Sequence, residues 1–149
     1  MIKVVVAAVI ERADRRLLIG QRRSFDSSPL KWEFPGGKVE EGEAPEAALA
    51  RELREELGAT LRKCVELARV NHTYAGYADQ LEIRFFAAEI ADGEVTGKMF
   101  EKIAWVLPKE LSGYDFLAAN RELVANLATG RIKAREILES GGSDCRETL

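Results

Sequence analysis

The chain has 149 residues, 46% hydrophobic and 32% charged, with a net charge of −3. That length suits one domain with a sizeable core rather than two comfortable ones, and the small net charge gives no reason to expect a stable nucleic-acid partner or an anionic membrane. A single histidine, His72, and two distant cysteines, Cys64 and Cys145, argue against a zinc or iron–sulfur centre and against a disulfide scaffold.

Lys3–Ile10 is β-branched and aliphatic, the composition of a buried strand. This apolar run is too short and too closely flanked by charges for a signal peptide or a membrane span, so a cytoplasmic protein is expected. Glu11–Arg15 is a polar turn, and Arg16–Gln21 reads as the returning strand of a hairpin. Between Arg22 and Lys31, Ser27, Ser28 and Pro29 break any periodicity and predict a loop. Lys31–Pro35 is a short extended piece that ends at the turn residues Gly36 and Gly37.

A helix follows, with Pro45 in its first turn and Gly58 at its C-terminal stop. Ala47, Ala50, Leu53 and Leu57 form an apolar stripe, nearly opposite a face that carries Glu52, Glu55 and Glu56. Like charges at i, i+3 and i+4 cost roughly 0.2–0.5 kcal/mol per pair. From Lys38 to Glu56 seven glutamates face Lys38, Arg51 and Arg54, a local balance of −7 + 3 = −4 that exceeds the charge of the whole chain. A hard cation such as Mg²⁺ takes oxygen ligands of this kind, accepting one or two carboxylates together with substrate phosphates. On the helix alone a solvated acidic face, with Arg51 pairing Glu55 at i,i+4, is the plainer reading.

Further strands are predicted at Cys64–Tyr74, Gln80–Ile90 and Lys102–Val106, with turns at Gly76 and Asp92–Gly93. Leu117–Leu127 and Ile132–Leu138 are helical in pattern, and Ser140–Leu149 lacks periodicity. Strands on both sides of one helix argue for an α/β sandwich with a mixed sheet, a domain over residues 1–139 and a flexible tail over 140–149.

The spacing of Gly37, Glu43 and Arg51-Glu52-Leu53-x-Glu55-Glu56-x-Gly58 resembles the signature of the Nudix hydrolases, with Ala59 where the family usually has a larger aliphatic residue. Trp32–Lys38 (WEFPGGK) is similar to the MutT-type branch, and the likeness covers most of residues 1–128. The resemblance implies an α/β/α sandwich with a loop–helix–loop catalytic motif that depends on Mg²⁺, which Mn²⁺ can replace. It implies a metal site made by the Gly36 carbonyl, Glu52, Glu55 and Glu56, with Glu52 the base that activates water. Glu43 and Arg51 would brace the loop against the helix. Glu101 is the candidate for a further acid, and reads equally well as a surface glutamate.

The reaction implied is hydrolysis of a nucleoside triphosphate to a monophosphate and pyrophosphate, with 8-oxo-dGTP the first candidate and nucleotide-pool sanitation the purpose. Phe116–Asn120 resembles the segment by which MutT-type enzymes present an asparagine to the base. Asn120 also reads as a helix N-cap, and both roles can hold at once. Arg22 or Arg23 resembles a nucleotide-contacting arginine, spacing favours Arg22, and Gly37 and Lys38 fall in the implied substrate site. Phe34 lies beside the base or in the core, Trp32 and Trp105 pack in the core or rim, and His72 is structural. The alternatives are a CTP or modified dCTP pyrophosphohydrolase, against which Asn120 weighs, and a non-catalytic nucleotide-binding module, against which the intact acidic set weighs. ADP-ribose and dinucleotide polyphosphates rank lower, and a monomer and a homodimer stay equally open.

Overall fold

A computed structural model describes residues 2–73, 79–141 and 143–144. The expected turn at Gly76, the strand end at Tyr74, Cys145 and most of the 140–149 tail lie outside the described residues. The described strands are β1 (Ile2–Ile10), β2 (Leu17–Gln21), β3 (Trp32–Glu33), β4 (Gly36–Lys38), β5 (Leu61–His72), β6 (Gln80–Ile90), β7 (Lys102–Val106) and β8 (Ser143–Asp144). The helices are α1 (Pro45–Leu57), α2 (Arg121–Ala128) and α3 (Ala134–Ser140), with 3₁₀ turns at Pro108–Gly113 and Ala118–Asn120.

One sheet runs β4-β1-β6-β5-β8 and the other β3-β2-β7. The first is mixed, because β1 pairs parallel with β6 and antiparallel with β4. Alternation along β1 sends its side chains to two cores. Val6, Ala8 and Ile10 pack with Leu49, Leu53, Leu57 and Phe86 under α1. Ala7 and Val9 join Phe34, Phe85, Leu123 and Leu127 on the side of α2 and α3. The result is the α/β sandwich with a mixed sheet that the pattern of elements implied.

The expected β1–β2 hairpin forms only at its tip. Pairing is confined to the turn end, where the antiparallel bridge Glu11–Leu17 and the Arg12 N–H donating to the Arg16 carbonyl at 2.8 Å join the two, and β2 then pairs with β3 and β7 in the second sheet. Leu17, Leu18 and Ile19 are all buried, so β2 is covered on both faces and sits between two layers rather than extending one. Gly36–Gly37 is likewise a strand, not a turn: Ala7 lies opposite Gly36 and Val6 opposite Gly37. A Cβ on Gly36 would collide with the Val6 carbonyl, so close approach and not a positive φ demands the glycine.

α1 starts at Pro45 and stops at Gly58, whose left-handed backbone (φ 66°) lets its N–H donate to the carbonyls of Leu53 and Arg54. Its buried residues are Ala48, Leu49, Ala50, Leu53 and Leu57, so Ala47 is replaced in the stripe by Ala48 and Leu49. At 100° per residue Glu56 projects only roughly 20° from Leu49, so Glu52 and Glu56 border the apolar face instead of opposing it. Ser143–Asp144 pair with Lys63–Cys64 of β5, which gives part of the segment expected to fray a sheet partner. Cys64 takes part in a disulfide, one cross-link rather than a stapled framework. Among the described residues no helix is long and apolar enough to cross a membrane.

Candidate active site

Because β4 runs beside β1 while α1 packs across the same sheet, Gly36 and Gly37 meet the acidic side of the helix. The Glu56 carboxylate accepts a hydrogen bond from the Gly36 N–H at 2.9 Å. Gly37 lies so close to the Glu52 carboxylate that a Cβ there would strike it. A one-carbon addition would therefore drive Gly36 against the β1 backbone, and at Gly37 would displace the Glu52 carboxylate.

Arg51 organises the outer half of the motif. Its Nε and Nη2 donate to the two oxygens of Glu43 at 2.9 and 3.0 Å, Nη2 also donates to the Lys38 carbonyl at 3.0 Å, and Nη1 reaches Glu52 at 2.9 Å and Glu55 at 3.4 Å. The Glu43 carboxylate in turn accepts from the Glu40 N–H at 3.0 Å. This fork geometry favours the charged carboxylate and holds Glu43 down at about 2. The same contacts raise the pKa of Arg51.

The inner half has the opposite electrostatics. Burial pushes Glu56 up to about 8, helped by repulsion from Glu33 and Glu52 and opposed by the Gly36 N–H and by Arg22. Burial also raises Glu52, against the pull of Arg51. Glu33 is raised by burial too, with Arg22 as the opposing cation. Glu55, by contrast, is 59% exposed. Among the described residues no three such side chains converge on one point, since Glu52 and Glu55 are turned to Arg51 and Glu56 to the Gly36 N–H. Glu52, Glu55 and Glu56 nonetheless offer only carboxylate oxygens, the donor type a hard divalent cation takes.

Glu56 also lines a cavity of about 350 Å³. Its walls include Phe34, Leu81, Ile83 and Leu117, and its polar lining includes Arg22, Ser27, Ser28, Glu33, Lys38 and Asn120. Trp32 places Asn120 there. Its N–H donates to the Asp115 carbonyl at 2.9 Å and its carbonyl accepts from Leu117 N–H at 3.0 Å, which hooks the 115–120 segment onto β3. Asn120 is the buried polar residue of the described chain, 6% exposed. Its backbone is helical (φ −91°, ψ −14°) and its side chain makes no capping hydrogen bond, so the N-cap reading fails. Asn120 instead ends a 3₁₀ turn, where the chain is already helical and cannot reach back to α2.

Phe34 is both a core residue and part of the cavity wall: it is 2% exposed and packs edge-on to Phe85 at 6.3 Å and tilted to Phe116 at 5.5 Å. Of the two arginines only Arg22 lines the cavity. Arg23 turns away, donating to the Lys98 carbonyl and lying 6.0 Å from the Phe25 ring. Glu101 is exposed and its N–H donates to the Gln21 carbonyl at 2.8 Å. Among the described residues no hydrogen bond or ion pair joins Glu101 to the acidic helix. Glu33, Ser27 and Ser28 enter the site without having been assigned a role from the sequence. No spacing rule singles out loop serines, and Glu33 is visible only as part of the WEFPGGK run. A larger hollow of about 750 Å³ between Leu107–Lys109 and the C-terminal helices contains none of Glu43, Glu52, Glu55 and Glu56, so size alone does not mark the site.

Residues 1–127 match the NUDIX domain family. The chain is 33% identical to the 8-oxo-dGTP diphosphatase of Escherichia coli over 123 residues, which span 83% of this chain and 94% of that protein. It is 34% identical to the CTP pyrophosphohydrolase of the same organism over 125 residues, 80% of this chain and 87% of that one. A solved MutT structure from work on the Aliivibrio salmonicida and Vibrio cholerae proteins superposes with a TM-score of 0.74 at 30% identity, covering 87% of this chain and 99% of the other.

Proposed function

The chain belongs to the NUDIX family and is a pyrophosphohydrolase, and from that premise we propose that it splits a nucleoside triphosphate into a monophosphate and pyrophosphate, with 8-oxo-dGTP as its preferred substrate. The observation that carries this reading is the shared cavity. Asn120, buried and without a side-chain cap bond, lines the same cavity as Glu56, which accepts from the Gly36 N–H. An amide offers a donor and an acceptor together, which suits the edge of an oxidised purine. Phe34, Leu81 and Ile83 supply the apolar surface for the ring.

NUDIX hydrolases use a divalent metal, and here Glu52, Glu55 and Glu56, with the Gly36 carbonyl, would hold Mg²⁺ or Mn²⁺. Such an ion would neutralise phosphate charge and acidify a water. The chain's own part is positional. Glu52 takes the proton of the attacking water, with Arg51 fixing its carboxylate at 2.9 Å. The water oxygen bonds to the β-phosphorus, and the bond from that phosphorus to the oxygen bridging toward the α-phosphate breaks. The monophosphate leaves with the bridging oxygen and the pyrophosphate with the water oxygen. Lys38 lines the cavity at its acidic end, where phosphate would lie. Residues 1–139 suffice for this activity in our reading.

Pyrophosphate release from a panel of nucleoside triphosphates with Mg²⁺ tests the assignment. Fastest turnover of 8-oxo-dGTP, lost in Glu52→Gln and made unselective in Asn120→Ala, is the expected result. Equal inactivity of wild type and Glu52→Gln on every nucleotide would sink it. A cytidine triphosphate is the second reading, favoured by the likeness to the CTP pyrophosphohydrolase, and the same panel separates the two.

A further inference from the structure

The loop between β2 and β3 has more order than its composition suggests. Its ends are closed by the Arg22 N–H donating to the Lys31 carbonyl at 2.8 Å and the Leu30 N–H donating to the Arg22 carbonyl at 3.1 Å. Its middle is gripped by the Arg22 side chain. Nε donates to the Ser27 carbonyl at 2.7 Å, Nη2 to the Ser27 hydroxyl at 3.0 Å, and Nη1 to both Glu33 oxygens at 3.2 and 3.3 Å. Each nitrogen of the guanidinium is thus engaged within the protein. Arg22 and Glu33 are only 23% and 22% exposed, so solvent screens their pairing little.

Two residues that follow the grip have left-handed backbones unusual outside glycine, Ser28 (φ 50°) and Leu30 (φ 62°). Conformations of that kind persist where the surroundings fix them. Ser28 lines the cavity with Asn120 and Phe34, and its hydroxyl has no hydrogen-bond partner among the described residues.

We infer that the Arg22–Lys31 loop is a specificity wall of the nucleotide site: Ser28 contacts the nucleoside, and the Arg22–Glu33 pair is the strut that positions it. This rests on the nucleotide reading above. It assigns Arg22 to the loop and not to the substrate. A hydroxyl held by a rigid turn can donate or accept at a sugar or base-edge atom, at little ordering cost on binding. Arg22 sets that turn from the inside, and Glu33 fixes Arg22 to β3.

The test uses the full chain and two readouts: steady-state cleavage, and equilibrium binding of 8-oxo-dGMP, dGMP and CMP by titration calorimetry. Ser28→Ala should weaken monophosphate binding and raise KM about five- to tenfold, the equivalent of one net hydrogen bond, with the loss in KM rather than kcat and Tm unchanged. Arg22→Ala and Glu33→Gln should act in the same direction, and Arg22→Lys should fail to rescue, since a single ammonium cannot donate along three fixed directions. Adding Ser28→Ala to Arg22→Ala should cost less than about twofold more, because the wall is already lost.

Wild-type affinity in Ser28→Ala overturns the inference, and so does full multiplication of the Arg22 and Ser28 effects, which would make Arg22 a direct contact. Should Arg22→Ala not fold, Ser28→Ala combined with Glu33→Gln gives the same cycle. A wild type that binds a monophosphate but cleaves no triphosphate defeats the reaction proposed above, while a weakened Ser28→Ala still supports the wall. Failure to bind any of the three monophosphates overturns the inference.

Discussion

Glu43 and Glu56 belong to one motif, thirteen positions apart, and the fold treats them in opposite ways. Glu43 stands near solvent in a two-point grip by Arg51 and is held at about 2. Glu56 is buried against Glu33 and Glu52, has a backbone N–H as its partner, and is pushed up to about 8. The first arrangement stabilises a loop, whereas the second leaves negative charge under-compensated where a cation and a phosphate would come together. Charge paired at two points braces the loop here, and in our reading the buried, raised carboxylate belongs to the chemistry.

The sharpest way to break this contrast is at Glu52, which touches both halves. Glu52→Gln should lower kcat by about 10²–10⁴-fold with an unchanged circular dichroism spectrum, if it is the base. Pyrophosphate release checks this, and a loss under threefold would reassign the role. Arg51→Ala comes next. It strands Glu43, Glu52 and Glu55 without their shared cation and should cut metal affinity about 10–100-fold while lowering Tm. Metal titration and thermal unfolding separate the two effects.

Smaller, and of opposite sign, is the effect at Glu56. Its folded pKa lies above the ordinary carboxylate value near 4.3, so the folded state holds a proton that the unfolded chain has lost. Metal-free protein should be favoured by this group below about pH 4 and lose that contribution as pH rises through about 8, with a slope of at most about 1.4 kcal/mol per pH unit. Glu56→Gln should flatten that slope and raise the metal-free Tm at alkaline pH, although it removes a ligand. A Tm series in chelator between pH 5 and 9 reads it directly. Smallest is the change at Glu43. Its pKa is depressed, so its contribution is present above the ordinary carboxylate value and is lost as pH falls from there through about 2. Glu43→Gln should therefore flatten acid unfolding between about pH 4 and 2, visible by tryptophan fluorescence.

Local punctuation was the legible part. Pro45 and Gly58 bound α1 because a missing N–H costs nothing at a helix start and a left-handed residue ends it most easily at glycine. β6 and β7 begin and end where alternation and turn residues place them. The Glu43–Arg51 grip was likewise readable, since both partners lie in one contiguous motif. The β1–β2 hairpin was overextended, because a short turn between two apolar runs does not say which sheet each run joins beyond the tip. Asn120 was ambiguous for a related reason: an Asn before a helix suits a cap, and only the 3₁₀ turn ahead of it removes that option.

By itself the sequence determined the reaction class through a family resemblance, because the spacing of Gly37, Glu43, Arg51, Glu52, Glu55 and Glu56 that carries it is a local property that one loop and one helix can satisfy. Tertiary structure decided which acids are frustrated and what stands opposite them. Glu56 rises because packing buries it, and because Glu33, from β3, is brought near it and adds repulsion. Ser28 and Asn120 meet across one cavity though the chain separates them by more than ninety positions. Burial and long-range Coulomb repulsion depend on which surfaces pack together, and no spacing within a single motif encodes that.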